Sequence, residues 1–234
     1  MTKNDKAKDS AMTSGLLGKA RSLRALLLLL TLLAVTVLSL VPLEFGQTLL
    51  PRLVILVTFC FGGSLLASSR HWLLAYLSLA APTLILGLFS AFGSVGSGVI
   101  LISSLFSAAL GLLLFQAILS YSLFSPKASR PDRIVAGLCG YLLIALFWSN
   151  LYFALCSADP AALISSQSGP VGPDAQTLTY FSIVTLTTLG YGDIVPGDSS
   201  WARLLCAFEA LVGTLYLAVF ISSLISSKDP VDEN

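Results

Sequence analysis

Seven consecutive residues combine types and a spacing that suit the binding of a dehydrated cation. They are Thr187, Thr188, Leu189, Gly190, Tyr191, Gly192 and Asp193. Two glycines alternate here with larger residues, and glycine reaches backbone angles that are closed to other residues. Successive carbonyl groups can therefore point to one side of the chain while the larger side chains pack on the other. The carbonyl oxygens of residues 188–191, with the Thr188 hydroxyl, would replace the water that a cation loses in a narrow pore.

Gly-Tyr-Gly-Asp could also be an ordinary external turn, and the residues before it argue against that reading. The stretch Asp174–Thr187 predicts a helix of about three turns, far shorter than the roughly 20 residues that span a membrane. Asp174 is placed to cap its N-terminus. The C-terminal end of such a helix carries partial negative charge and would favour a cation beside it. Tyr180 and Phe181 are predicted to form an aromatic cuff around residues 187–193.

The composition of the chain indicates an integral membrane protein. Of its 234 residues, 56% are hydrophobic and only 11% are charged, and the mean hydropathy is +0.88. A soluble domain carries roughly a quarter charged residues, so soluble enzymes, disordered proteins and nucleic-acid-binding proteins are excluded. The four cysteines lie apart in apolar segments. Without a CxxC spacing, they favour neither a metal site nor a disulfide framework.

Six apolar runs are long enough to span a bilayer. Their approximate bounds are Ala25–Leu43, Leu49–Ser68, Trp72–Phe92, Val95–Phe124, Ile134–Ser157 and Trp201–Ser226. If the N-terminus is inside, eleven of the 13 Lys and Arg residues fall on the inner side, as the positive-inside rule requires. The other two are Arg52 and Arg203. Six spans with both termini in the cytoplasm therefore explain the placement of the charges.

Residues 187–193 resemble the signature selectivity filter of potassium channels, with Leu189 where Val or Ile is commoner. The order of outer helix, short re-entrant pore helix, filter and inner helix is also similar to that family. The likeness covers about Arg133–Ser226, and Phe208–Val219 is similar to the inner helices of bacterial members. The resemblance implies a potassium-selective channel of the cell membrane, with passive conduction, no catalytic residue and no cofactor. Hereafter residues 187–193 are called the filter segment.

The predicted fold class is an all-α integral membrane protein with six transmembrane helices. A re-entrant pore helix and the filter segment lie between helices 5 and 6. The predicted organisation is a disordered cytoplasmic N-terminus (1–22), a four-helix membrane domain (23–125), a potassium-channel pore domain (131–227) and a short cytoplasmic tail (228–234). The four-helix domain resembles a voltage-sensor domain without its arginines. Because one chain carries one filter segment, a closed ring of carbonyl groups implies a homotetramer embedded in membrane lipid, with K+ as its permeant ion.

The predicted K+ ligands are the carbonyl groups of Thr188, Leu189, Gly190 and Tyr191, with the Thr188 hydroxyl. Thr187, Gly192 and Asp193 are predicted to support them, together with the two aromatic residues of the cuff. From Ile134 to Ala202 the chain has no Lys, Arg or His but has four aspartates, and an acidic mouth raises the local concentration of cations. Among these aspartates, Asp193 adjoins the filter segment and is the predicted functional residue.

Two residues of the last apolar run leave alternatives open. Glu209 is ionisable inside a predicted span, which is by default a functional hypothesis. It could accept hydrogen bonds behind the filter segment, line a cavity, or be neutral and packed. Gly213 lies one turn further on the same face, where it could allow close helix packing or act as a gating hinge.

Two other functions compete with a potassium-selective channel. One is a non-conducting membrane subunit that assembles with other channel chains, and the intact Thr-Leu-Gly-Tyr-Gly sequence argues against it. The other is a weakly selective cation channel, for which altered filter positions would be expected. Tyr191 and both glycines of the segment are present, which favours selectivity for potassium.

We predict that conduction depends only weakly on membrane potential. The run Val95–Phe124 contains no Lys or Arg, and each charge that crosses the field contributes about 2.3 kcal/mol per 100 mV. With only Arg52 and Glu209 near the field, fewer than about two gating charges per chain are expected on that arithmetic. Conductance–voltage curves in symmetrical potassium test this, with Arg52→Gln as the control. A steep curve in the unaltered protein would contradict the prediction.

Overall fold

The computed structural model describes residues 70–92, 96–124 and 130–226, together with eight helical positions between residues 26 and 36. The described elements with continuous bounds are five helices and three short strands. The helices are α1 (Arg70–Phe92), α2 (Ser97–Phe124), α3 (Arg130–Ala158), α4 (Ala175–Leu186) and α5 (Ser200–Ser226). The strands are β1 (Leu163–Ser165), β2 (Gly169–Pro170) and β3 (Ile194–Pro196).

Three described helices are long and apolar enough to cross a membrane, and the chain is a multi-pass membrane protein. The segments are Leu101–Ser120 within α2, Arg130–Ala158 and Ser200–Ser226. Helix α4, with 12 residues, is too short to cross, because a helix rises only about 1.5 Å per residue. The prediction of a short helix between two spans is therefore confirmed for α3, α4 and α5.

Several predictions fall on residues that the structure does not describe. These are the N-terminal segment 1–22, the second span Leu49–Ser68, Arg52 and the tail 228–234, while the first span is described only at single positions. The count of six spans and the orientation of the termini accordingly stay predictions.

Helix α3 is central to the described fold. It packs against α2 on one side and against α4 and α5 on the other, while α1 packs against α2. One buried apolar cluster joins α1, α2 and the first half of α3, and it includes Tyr76, Leu110, Leu114, Cys139 and Leu143. A second cluster joins the second half of α3 to α4 and the following loops, and it includes Trp148, Tyr152, Leu178, Phe181 and Leu186.

The structure corrects the all-α prediction in one place. The three strands form a small antiparallel sheet in the order β2-β1-β3, with Ile164 opposite Pro170 on one side and Val195 on the other. Strands of two or three residues are too short for an alternating pattern to be recognised in the sequence. The sheet matters for the site because β3 begins directly after the filter segment.

Candidate functional site

Helix α4 begins and ends as local sequence chemistry dictates. Asp174 has extended backbone angles (φ −105°, ψ 115°), and its Oδ2 accepts a hydrogen bond of 2.8 Å from the Thr177 amide. This confirms the predicted N-cap, which satisfies one of the amide groups left unbonded at a helix start. At the other end, the Thr187 amide donates to the Ile183 carbonyl at 3.0 Å, and the helix ends where the filter segment begins.

Hydroxyl groups hold α4 against α3 within the apolar core. Ser149 Oγ of α3 and Thr179 Oγ1 of α4 lie 2.9 Å apart. One turn further along α4, Ser182 Oγ lies 2.8 Å from the carbonyl oxygen of Ala145. Both pairs are buried, where hydrogen bonds constrain position because water cannot replace them. The axis of α4 is therefore fixed relative to α3 at two successive turns.

The filter segment alternates between left-handed and ordinary backbone angles. Thr188 has φ +57°, Gly190 +55° and Gly192 +79°, whereas Leu189 and Tyr191 have negative φ. A positive φ is unusual for a β-branched residue such as threonine, and such conformations cluster at functional sites. The two glycines predicted from the sequence thus occupy positions that favour glycine, and Thr188 extends the alternation by one residue toward α4.

Amide groups at the start of the filter segment bond back to the last turn of α4. The Thr188 amide donates to Thr185 O at 2.9 Å, and the Leu189 and Gly190 amides both donate to Val184 O, at 3.0 and 3.3 Å. Across residues 130–226, no described hydrogen bond is accepted by the carbonyl oxygens of residues 188–191. The segment is exposed from Thr187 to Gly192, so these oxygens are available to a ligand.

The C-terminal end of the filter segment is held at Asp193. The Tyr180 hydroxyl donates a 2.8 Å hydrogen bond to Asp193 Oδ2, and the Ser166 amide donates to Asp193 O at 2.9 Å. The bond to Asp193 raises the pKa of Tyr180 to about 12, so this tyrosine keeps its proton and remains a donor at neutral pH. Strand β3 then pairs with β1 directly after the segment.

The two residues of the predicted aromatic cuff have different surroundings. Tyr180 reaches the end of the filter segment through Asp193, as described above. Phe181 is buried and packs edge-on against Tyr152, with ring centroids 5.0 Å apart and an interplanar angle of 73°. Adjacent helical residues point about 100° apart, so the two neighbouring side chains lie on different faces of α4. Within the single chain, Phe181 therefore belongs to the core between α3 and α4.

Glu209 joins the three helices behind the filter segment. Its side chain is fully buried, with 0% exposure. Oε1 lies 2.5 Å from Ser182 Oγ on α4, and Oε2 lies 2.6 Å from the Tyr152 hydroxyl on α3. Among the alternatives left open by the sequence, this geometry favours a buried, hydrogen-bonded side chain over one that lines a cavity. Tyr152 and Ser182 were not singled out from the sequence, although both are polar residues in apolar helices, the same signal that identified Glu209.

Gly213 lies where α5 crosses the end of α4. A β-carbon at this position would overlap the carbonyl oxygen of Leu186, the last residue of α4. The hydroxyl of Tyr141 on α3 donates a 3.3 Å hydrogen bond to the same oxygen. The missing side chain of Gly213 therefore permits close approach of two helix backbones, which is the packing alternative for this residue.

Part of the chain is similar to known ion channels. Residues 134–227 match the family model Ion_trans_2, described as an ion channel. Two pore potassium channel c of Oryza sativa subsp. japonica is 36% identical over 88 residues, which are 36% of this chain and 19% of that protein. Two pore potassium channel a of the same organism is 46% identical over 43 residues, 18% of this chain and 12% of its own length.

A bacterial membrane protein shows a similar level of identity. It is the uncharacterized membrane protein YdjJ of Bacillus subtilis (strain 168), 32% identical over 90 residues, which are 38% of this chain and 26% of that protein. No solved structure matches the chain. The chain thus matches only 12–26% of the length of these relatives, and the ion-channel match coincides with α3, α4, α5 and the filter segment.

We predict that Gly213→Ala destabilises the protein while Gly111→Ala does not. The added β-carbon at 213 meets a backbone carbonyl, whereas at Gly111, inside α2, it meets nothing within 4 Å. Overpacking of this kind costs about 1–3 kcal/mol, and replacing an unconstrained helical glycine by alanine gains up to about 1 kcal/mol. Thermal unfolding of both variants in the same detergent tests this. Equal shifts in Tm would contradict the assignment of Gly213 to packing.

Proposed function

We propose that the chain is a subunit of a potassium-selective channel and that residues 187–193 are its selectivity filter. The observation that carries the proposal is the alternation of φ at Thr188, Gly190 and Gly192, next to carbonyl groups without an internal partner. Alternation of this kind turns successive peptide planes so that their oxygens share one side. Four such oxygens and the Thr188 hydroxyl would form stacked layers that replace the hydration shell of K+.

The electrostatics of the described residues support a cation as the permeant ion. The filter segment follows the C-terminal end of α4, which carries partial negative charge. Asp193 adds a carboxylate at the far end of the segment. Asp198, by contrast, lies 2.8 Å from the Arg203 guanidinium, so its charge is partly compensated. Asp193 is therefore the acidic residue proposed to act on ions at the pore mouth.

The exposed surface of the single chain supports assembly around an axis. Leu189 and Tyr191 are 54% and 66% exposed, although both are apolar or aromatic residues that the proposal places behind a filter. Helix α5 also presents large exposed apolar side chains, among them Phe208, Leu211 and Leu215. Four copies around one axis would cover these residues and close the ring of carbonyl groups. The proposed assembly is thus a homotetramer in the cell membrane, with cytoplasmic termini.

The similarity to two proteins named two pore potassium channels supports K+ as the ion. The glycines and the tyrosine present in the segment weigh against a weakly selective cation channel. Residues 23–125 are proposed to form a separate membrane domain around the pore domain of residues 131–227. Within that domain, α2 packs on α3 and α1 packs on α2.

We predict that the purified chain in lipid vesicles passes K+ in preference to Na+ and that Gly190→Ala abolishes this preference. An alanine at position 190 would have to adopt the left-handed backbone conformation, with φ +55°. This conformation costs a non-glycine residue roughly 1–2 kcal/mol in each chain. Gly172→Ala is the matched control, since this glycine lies in the loop before α4 without a positive φ and with open space around it. Parallel K+ and Na+ flux assays provide the measurement.

Unchanged selectivity in folded Gly190→Ala would refute the filter assignment. Absence of flux from the unaltered chain would favour a non-conducting subunit.

A second prediction concerns the oligomeric state. The detergent-solubilised protein should have a mass of about four chains, each of 24.7 kDa, because a shared axial filter requires cyclic closure. Native mass spectrometry or light scattering with the detergent contribution subtracted gives this mass. A monomer or dimer that still conducts K+ is the result that would exclude the proposed tetramer.

A further inference from the structure

Three short oxygen–oxygen contacts form a continuous chain through the buried site of Glu209. Glu209 Oε1 lies 2.5 Å from Ser182 Oγ. The same Ser182 Oγ lies 2.8 Å from Ala145 O, and Glu209 Oε2 lies 2.6 Å from the Tyr152 hydroxyl. Each distance is that of an O–H···O hydrogen bond, so each contact needs one proton between its two oxygens.

If Glu209 is ionised, this chain of hydrogen bonds has one proton too few. A serine and a tyrosine hydroxyl carry one proton each, while a carboxylate and a backbone carbonyl carry none. Two protons would then have to serve three contacts. Ser182 could donate either to Glu209 or to Ala145 O, and the remaining pair of oxygens would face each other with lone pairs only. In a site as buried as this one, such an unsatisfied contact is costly.

The neighbouring hydroxyl pair, Ser149 on α3 and Thr179 on α4, has enough protons for its contacts. Thr179 Oγ1 lies 2.7 Å from Ala175 O and 2.9 Å from Ser149 Oγ. Two hydroxyl protons serve these two contacts if Ser149 donates to Thr179 and Thr179 donates to Ala175. The imbalance is therefore specific to the contacts of Glu209.

We propose that Glu209 is a neutral carboxylic acid in the folded protein and that its proton completes a hydrogen-bond chain across the pore domain. Glu209 Oε1 donates to Ser182 Oγ, which donates to Ala145 O, and the Tyr152 hydroxyl donates to Glu209 Oε2. Three protons then serve three contacts. Glu209 acts as a positioning residue, because its proton lets Ser182 bond α5 and α3 to α4 at the same time.

Among the residues that the structure describes, none near Glu209 supplies a cation to balance a carboxylate. The other titratable groups near it are Tyr152 and Tyr141 on α3 and the Cys206 thiol one turn away on α5. Arg203, at the start of α5, is engaged by Asp198 and the Gly197 carbonyl. No Lys, Arg or His occurs between Ile134 and Ala202, so most of α3 and all of α4 lack a basic residue. An unpaired charge buried at this depth would be expensive.

Infrared spectroscopy tests the proton directly. The chain has three glutamates, Glu44, Glu209 and Glu233, so labelling glutamate carboxyl carbons with carbon-13 isolates a small set of groups. At neutral pH we expect a carbon-13-shifted C=O stretch of a protonated carboxyl group in the folded protein. The band should be absent from Glu209→Gln. Absence of the band from the unaltered protein, or its persistence in Glu209→Gln, would overturn the proposal.

Substitutions of Glu209 distinguish the effect of its proton on stability from the effect of its packing. The amide of Glu209→Gln can donate to Ser182 and accept from Tyr152, so this variant should unfold within a few degrees of the original protein. Glu209→Ala should unfold several degrees lower, because two hydroxyl groups lose their buried partner. Ser149→Ala is the matched control, since it removes a hydrogen bond between α3 and α4 outside the Glu209 chain. If Glu209→Gln is as unstable as Glu209→Ala, the proposed pattern of donors is wrong.

The pH dependence of unfolding gives a second, independent readout. A proton that is bound in the folded state and lost from the exposed carboxyl group on unfolding makes stability fall as pH rises. The fall in Tm toward alkaline pH should therefore be steeper in the original protein and in Ser149→Ala than in Glu209→Gln. Equal slopes in all three would contradict the proposal. None of these measurements requires ions to pass, so failure of the proposed channel function would leave their outcome unaffected.

Discussion

The hydrogen bonds of Glu209 constrain how α3, α4 and α5 are placed relative to one another. They join α5 to Ser182 of α4 and to Tyr152 of α3 at one fully buried point. Hydrogen bonds between membrane helices contribute about 0.6 kcal/mol each on average, but leaving a buried partner unsatisfied costs about 1–3 kcal/mol. The network is therefore a constraint on geometry more than a large source of stability. The contacts of Thr179 and Ser182 fix where helix α4 lies against α3.

A fixed α4 is what allows the filter segment to be strained and still ordered. Thr188 holds a left-handed conformation, which costs of order 1–3 kcal/mol for a residue of its type. Bonds at both ends offset this cost: Val184 and Thr185 accept amides at the start, and Ser166 and Tyr180 bond Asp193 at the end. The carbonyl groups between these points remain without internal partners. The segment is thus held at its two ends, and the carbonyl groups of its middle accept no hydrogen bond among the described residues.

Helix α2 shares a side-chain interface with α3 and α5. Phe115 of α2 packs against Tyr216 of α5 with ring centroids 5.9 Å apart, and the Tyr216 hydroxyl donates to Gly137 O of α3 at 2.7 Å. A β-carbon at Gly137 would overlap the ring of Phe220, so the absence of a side chain there permits this arrangement. These rings therefore connect α2 to α5 as well as to α3.

The sequence alone determined the features that depend on near neighbours. Hydropathy indicated a membrane protein, and Asp174 predicted the start of α4. The spacing of Gly190 and Gly192 predicted where left-handed backbone angles occur. Each of these features follows from the local backbone or from solvation. Only the tertiary structure supplied the hydrogen-bond partners of Glu209 and the close contact at Gly213, placed Phe181 in the core and produced the small sheet. The partners of Glu209 lie 27 and 57 residues away in the chain, and no local pattern encodes which distant side chains meet. Helix packing fixes those contacts, and with them the number of protons that the buried site requires.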